Sequence, residues 1–341
     1  MPRLPRIDFP GLYHHIIARG ILRGRIFRSD SDRAEFVHRL GHILDETKTS
    51  CYAWALMPNH IHLLLQTGAS SIAKTMQRLL TGYAVTFNLR YKRAGHLFQN
   101  RYKDIICQED PYFMELLQYI PLNPVRGGII RTAGELAVYP WTSHSAIMGK
   151  IRRPWQMVSS VLARFSPDPA QARQVYQAYL VEAWNRKKQD RLEGGGLIRS
   201  SGGLPEGRQD IREVGIQAYD QRILGDDAFV LETLRQGEQL ENDQQEMQSV
   251  TIETLLTLVA DLTGQDVQGL TEKGQRRSVT SAKAMAVYAG VVWLGQSTVS
   301  MGRQLGLSQS AASRAFARGR ALAEEFRLGE RLKAQSCMNV P

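Results

Sequence analysis

Two apolar runs place the strongest constraint on the fold: residues 51–57 (CYAWALM) and residues 61–66 (IHLLLQ), divided by the pair Pro58-Asn59. Proline followed by asparagine is turn chemistry, so the runs read as consecutive strands. His60 and His62 open the second strand. Alternation along a strand sends both imidazoles to one side and Ile61 to the core. Two imidazoles on one face can share a metal ion, although a lone His-x-His on a strand is more often a surface accident.

The neighbouring segments extend this pattern. Residues 12–19 (LYHHIIAR) suit a strand that ends at Gly20. Residues 30–50 read as a helix capped by Asp30 or Ser31, with Phe36, Val37, Leu40, Ile43 and Leu44 at helical spacing. Residues 71–93 read as a second, long amphipathic helix that carries Ile72, Met76, Leu79, Leu80, Tyr83, Val85 and Phe87 and has a basic far end of Arg90, Lys92 and Arg93. Residues 97–107 read as a further strand with Arg101 and Lys103 on one face. Asp110-Pro111 then opens a helix, acid at the cap and proline in the first turn, that runs to about Leu122 and stops at Asn123-Pro124. This order predicts an α+β domain: a ferredoxin-like antiparallel sheet with helices on one face.

A chain of 341 residues exceeds one ordinary domain. Residues 1–150 hold the α+β unit. Residues 151–245 read as a helical extension followed by a glycine- and charge-rich linker at 191–210, and residues 246–341 as a second, all-helical domain. The formal charge of +10 is uneven: +8 over residues 1–150, −5 over 151–270 and +7 over 271–341. Two basic lobes favour a polyanionic partner. His14 and His15, on the first strand, are expected to pack or to face solvent rather than to bind an ion. Three scattered cysteines make neither a disulfide framework nor a metal knuckle, and no long apolar run or apolar leader is seen, so a cytoplasmic protein without membrane contact is expected.

Residues 118–126 read QYIPLNPVR. Residues four apart on a helix share a face, which puts Tyr119 beside Asn123. A tyrosine can serve as a covalent nucleophile, and an amide oxygen is a hard ligand suited to Mg²⁺ or Mn²⁺. Pro121, lacking an N–H, stands between them and is expected to kink or end the helix.

Together these segments resemble the single-tyrosine HUH transposases of insertion sequences, and most closely their REP-associated relatives. The resemblance rests on residues 57–63 (MPNHIHL), on Tyr119 with residues 123–126 (NPVR), on residues 28–36 (RSDSDRAEF) and on residues 139–143 (YPWTS). It implies that His60, His62 and Asn123 hold a divalent cation, Mg²⁺ or Mn²⁺, and that Tyr119 is the nucleophile. It further implies cleavage and rejoining of single-stranded, hairpin-associated DNA through a 5′-phosphotyrosine, by a monomer or homodimer. Arg90, Lys92, Arg93, Arg101 and Lys103, interleaved with Tyr91 and Tyr102, would offer phosphate contacts and base stacking, or else only a solvated helix end and strand face.

Residues 297–320 (STVSMGRQLGLSQSAASRAFARGR) carry a helix-turn-helix pattern: a first helix with Val299 and Leu305 inward, a turn at Gly306-Leu307, and a second helix capped by Ser308. Gln309, Ser310 and Ser313 would face the major groove, with Arg314 and Arg318 near phosphates. From Ile252 onward the sequence loosely resembles the helical DNA-binding domain of the replication initiator DnaA. Two other readings compete with a transposase. One is a replication initiator or relaxase with the same histidine pair; the other is a sequence-specific DNA-binding regulator whose transposase domain is catalytically inactive.

Overall fold

The computed structural model describes residues 6–68, 70–185, 220, 222–272 and 277–338. The expected linker at 191–210 lies outside the described residues. The chain divides into two compact units, residues 1–234 and 235–341.

The first unit is built on a five-stranded sheet of order β2-β3-β1-β4-β5, comprising β1 (Tyr13–Arg19), β2 (Ser50–Met57), β3 (His60–Gln66), β4 (Lys103–Cys107) and β5 (Ile223–Leu224). Its first four strands are antiparallel neighbours, the ferredoxin-like arrangement expected. β5 adds a short parallel edge, pairing Ile106 with Ile223; two residues are too few to show as a strand pattern in the sequence.

Helices α1 (Asp30–Thr47) and α2 (Ile72–Arg90) cover one face. Phe36, Leu40, Leu44, Met76, Leu79 and Tyr83 pack there on Ile16, Trp54, Leu56, Ile61 and Leu63. The cap of α1 is Ser29, ahead of both expected candidates, Asp30 and Ser31. Asp32 N donates to the Ser29 hydroxyl at 3.3 Å and the Asp32 carboxylate accepts from Ser29 N at 3.1 Å, a capping box.

Helices are not confined to that face. Every residue of β2 after Ser50 is buried, so the strand presents apolar side chains both ways and needs two covers. The second is supplied by α3 (Glu109–Tyr119), α7 (Val158–Leu162) and α8 (Pro169–Asn185). Phe113, Leu116, Leu117, Ile120, Val161 and Tyr176 pack there on Ala53, Ala55, Leu64 and Ile105. The short helices between them are α4 (Asn123–Arg126), α5 (Ala133–Val138) and α6 (His144–Ile147). The segment 139–143 lies along the outer edge of β2, with Leu56 N donating to Trp141 O and Ser143 N to Trp54 O, each at 2.9 Å. An otherwise open strand edge is thereby covered.

His144 follows that segment and is 3% exposed, with its pKa pushed down to about 4 by burial. Unfolding restores the ordinary value near 6.5, so between about pH 6.5 and 4 the unfolded chain binds the proton that the folded chain refuses. Stability through this group is therefore intact above pH 6.5 and falls as the pH drops through that window. From pH 7.5 to 5 the loss amounts to about 2 kcal/mol at 1.36 kcal/mol per pH unit. Urea unfolding followed by tryptophan fluorescence is expected to show the His144→Gln variant losing less stability over that interval than wild type by about this amount. Equal losses would mean that His144 is not the titrating group.

The strand expected over residues 97–107 begins only at Lys103. Asn100 sits at φ +60°, a left-handed conformation that breaks the pleat, and the stretch before it touches the sheet through a single bridge between Gly20 and Phe98.

The second unit is helical: α9 (Asp227–Ser249), which begins in the first, then α10 (Ile252–Thr263), α11 (Val267–Thr271), α12 (Arg277–Val292), α13 (Thr298–Gln304), α14 (Gln309–Glu325) and α15 (Leu328–Met338). Its core gathers Leu255, Val259, Met285, Val287, Met301, Leu305 and Ala315. On α13 the inward residue is Met301, one helical turn before Leu305, and not Val299, which is 42% exposed. The i, i+4 spacing of Met301 and Leu305 sets that phase. Lys283 on α12 is 2% exposed, and its ammonium donates to the carbonyls of Glu272 and Leu305. Those residues end α11 and α13, where carbonyls lack helical donors, so one buried cation ties two helix ends together.

Candidate functional site

β3 presents His60, His62 and Leu64 to the face covered by α3, as alternation requires. β1 presents Tyr13, His15 and Ile17 to the same face, with Ile17 opposite His62 and His15 opposite Leu64. His15 therefore stands diagonally across from His62, near enough for side chains to meet. Both are fully buried. His15 Nε2 lies 3.0 Å from His62 Nδ1, and the rings lie near-parallel, 25° apart, with 5.2 Å between centroids. Packing for His15 was expected; a hydrogen bond to the histidine pair was not.

His60 and His62 are 5.1 Å apart between ring centroids. The Nδ1 atom of His60 contacts Asn59 Oδ1 at 2.7 Å, and Asn59 Nδ2 donates to Arg23 O at 3.1 Å. With the amide nitrogen committed to a carbonyl, Oδ1 accepts from His60 Nδ1–H, which leaves Nε2 as the lone-pair nitrogen. His62 Nε2 is buried and has no hydrogen-bond partner among the described residues. Burial first, then the charges of His15, His60, Arg19 and Arg126, pushes the His62 pKa well below 6.5, so this imidazole is neutral and able to ligate.

α3 brings Tyr119 to this cluster. Its ring lies edge-on to His62 at 5.7 Å and to His15 at 6.0 Å. The residue is 4% exposed, and the Arg126 guanidinium sits over its ring at 4.5 Å. Arg126 Nη1 also donates to Tyr119 O at 3.0 Å.

The helix expected to run through to Leu122 is interrupted. α3 ends at Tyr119, Ile120 still donates to Leu116 O, and the chain restarts as α4 at Asn123, because Pro121 supplies no N–H to continue the ladder. Tyr119 and Asn123 remain linked across the break: Asn123 Nδ2 donates to Tyr119 O and to Ile120 O, both at 3.1 Å. The amide nitrogen is thereby used and Asn123 is 6% exposed. Among the described residues no group of three or more His, Cys, Asp and Glu side chains gathers to hold a metal. The orphaned buried Nε2 of His62 has the chemistry of a cation ligand.

The basic residues of the first unit divide. Lys92, Arg101 and Lys103 are exposed. Arg90 is paired with Asp32, which also accepts from the Tyr91 hydroxyl at 2.7 Å. Arg93 lies 5.8 Å from the Phe87 centroid, with Nη1 3.5 Å from Asn88 Oδ1. The two aromatic side chains expected to stack on bases already carry arginines: Arg28 over Tyr91 at 4.6 Å and Arg6 over Tyr102 at 3.8 Å.

In the second unit, Gln309, Ser310, Ser313, Arg314 and Arg318 are all exposed along α14. Ser308 caps that helix by accepting from Ala311 N at 3.3 Å, as expected, although the Ser313 hydroxyl turns back to Gln309 O at 3.1 Å. Gly306, at the expected turn, has φ +63°, a left-handed conformation that glycine adopts without strain.

Comparison with known proteins adds three findings. Residues 8–123 match the model of the family described as transposase IS200 like. The chain is similar to a solved structure of a REP-associated tyrosine transposase bound to a REP hairpin, at 14% identity and a TM-score of 0.37 over 46% of this chain and 90% of that one. No curated protein matches. The matched span holds the histidine pair, Tyr119 and Asn123, and by it residues 8–123 belong to the IS200-like transposase family.

Proposed function

We propose that the first unit cleaves and rejoins single-stranded DNA by transferring one strand to Tyr119. The single observation that carries this reading is the meeting of an α3 phenol with the histidine pair on β3, 5.7 Å between the Tyr119 and His62 rings. In the proposed step the Tyr119 oxygen bonds to a backbone phosphorus and the bond from phosphorus to the 3′ oxygen breaks. The phenolic proton leaves to solvent, and the departing oxygen takes one up to become a 3′-hydroxyl. A second 3′-hydroxyl reverses the exchange without any other energy source, because the phosphotyrosine is itself a phosphodiester. One nucleophile cuts one strand, which favours a single-stranded substrate, presented beside a hairpin.

His60, His62 and the Asn123 oxygen would hold the cation, Mg²⁺ or Mn²⁺. When bound, it would polarise a nonbridging phosphate oxygen and offset charge on the leaving oxygen. The chain's own groups do the rest. Arg126, over the Tyr119 ring at 4.5 Å, puts a planar fork suited to a phosphate beside the phenol. Lys92, Arg101 and Lys103 would follow the strand backbone. In the second unit, α13 and α14 would act as a helix-turn-helix on duplex DNA through Gln309, Ser310 and Ser313, with Arg314 and Arg318 on phosphates.

The test is direct. The full chain is incubated with end-labelled single-stranded hairpin oligonucleotides drawn from the flanks of its own gene, with Mg²⁺ or Mn²⁺ and in parallel with EDTA. A covalent protein–DNA adduct that resists denaturing gels, and disappears with EDTA, is the expected result. An adduct equally abundant in EDTA would remove the cation from the reading, and no adduct with any such oligonucleotide would remove the strand transfer.

A further inference from the structure

We propose that His15 is a positioning residue for the cation site: its Nε2 accepts the Nδ1–H of His62 and so fixes the tautomer in which His62 Nε2 keeps its lone pair. This deepens the proposed function and rests on the reading of His60 and His62 as ligands.

A neutral imidazole has one N–H and one acceptor nitrogen, and only the acceptor binds a metal. Both histidines on β3 have Nδ1 engaged. For His60 the partner is Asn59 Oδ1 at 2.7 Å, an acceptor whose orientation is set by the bond from Asn59 Nδ2 to Arg23 O. For His62 the partner is His15 Nε2 at 3.0 Å. The two bonds are equivalent in position and differ in chemistry, an amide oxygen for one and an imidazole nitrogen for the other. With His62 as the donor, its Nε2 becomes a buried lone pair with no hydrogen-bond partner among the described residues, a costly state until a ligand meets it. A cation relieves that cost. With His15 as the donor, His62 Nε2 would carry a hydrogen and could not ligate.

The placement follows from the sheet. His15 lies on β1 opposite Leu64, two residues along β3 from His62, and both rings are fully buried and near-parallel. With both rings buried, the 3.0 Å contact to His15 is what sets the His62 tautomer. An imidazole acceptor also adds no negative charge to a buried site, which a carboxylate in the same place would do.

Mn²⁺ binding by the full chain, without DNA, is measured by electron paramagnetic resonance for wild type, His15→Phe, His15→Gln and His62→Ala. His15→Phe keeps the ring and removes the acceptor, and is expected to weaken Mn²⁺ about 10–100-fold, as loss of an outer partner of a ligating histidine does. His15→Gln, whose Oε1 falls near the place of Nε2, restores most of the affinity. His15→Phe binding as tightly as wild type, while His62→Ala does not bind, overturns the proposal and leaves the cation reading standing. Wild type binding no better than His62→Ala removes the cation reading and this proposal with it. Should His15→Phe fail to fold, ¹⁵N-histidine spectra of the metal-free wild type decide the matter. With His62 assigned by its absence from His62→Gln, a protonated Nδ1 and bare Nε2 are expected, and a protonated Nε2 overturns the proposal.

Discussion

Tyr119→Phe is expected to abolish the covalent adduct and to lower cleavage of a single-stranded hairpin oligonucleotide by roughly 10³-fold or more, the scale of loss when a covalent nucleophile is removed. The substitution deletes one oxygen. The ring stays in the same apolar surroundings of Leu116, Ile120 and Leu122, so the fold and the affinity for uncleaved DNA should be unchanged. That separation matters because Tyr119 is only 4% exposed: a more disruptive variant could lose activity by loosening the packing of α3 on the sheet. Equal cleavage by Tyr119→Phe and wild type would assign the nucleophile elsewhere. A wild type that binds the oligonucleotide and never forms an adduct would favour instead a DNA-binding regulator with an inactive first unit.

The parts of this site legible in the sequence are those fixed by local periodicity. His60 and His62 share a face because a strand alternates, and the apolar content of residues 51–57 and 61–66 dictated paired strands there. Helix spacing gave α1, α2 and α3 and most of their inward faces. What escaped was set by pairing between distant segments. His15 meets His62 only through the register of β1 on β3, 47 residues apart, and its neighbour His14 faces the other way, onto Asp104 and Thr67. Parity along β1 was the available signal, since an imidazole at His15 shares a face with Tyr13 and Ile17. It would have needed the register to become specific.

Charge was legible in amount and not in commitment. Arg90 counts as basic in any sequence tally, but its guanidinium is spent on Asp32, whose carboxylate also accepts from Ser29 N, Arg28 N and the Tyr91 hydroxyl. Burial alone would raise the Asp32 pKa; the hydrogen bonds from Tyr91, the Arg28 backbone and Arg90 hold it below the usual carboxylate range. The anion at the start of α1 thus fixes the far end of α2, and Arg90 contributes to folding before it can contribute to DNA binding. Pro121 shows the converse. Its effect on the helix was readable, while the way Asn123 reattaches to Tyr119 through its own amide was not.

In the second unit the largest single effect should come from Gly319→Ala. On an open helix surface this exchange stabilises by about 0.5–1 kcal/mol, since alanine is the better helix former. At Gly319 a Cβ would lie 2.0 Å from the Ala284 carbonyl oxygen and 2.6 Å from Tyr288 Cβ. Both atoms belong to the backbone or stem of α12, so no rotamer change relieves the clash and α14 must move off α12. The expected cost is about 3 kcal/mol, at the upper end of overpacking penalties, against a unit whose core is built around that helix pair. Gly134→Ala on α5, where a Cβ would meet nothing within 4 Å, serves as the control and is expected to be neutral or slightly stabilising. Limited proteolysis reads the result: Gly319→Ala should expose cleavage sites within residues 235–341 while residues 6–185 stay resistant, and equal resistance in both parts would show that the α12–α14 approach is looser than these distances state. The same variant divides the two proposed DNA activities. Adduct formation on hairpin oligonucleotides should survive, because His60, His62 and Tyr119 all lie in the first unit, whereas retention on duplex DNA should fall, because Gln309, Arg314 and Arg318 are carried on the displaced helix.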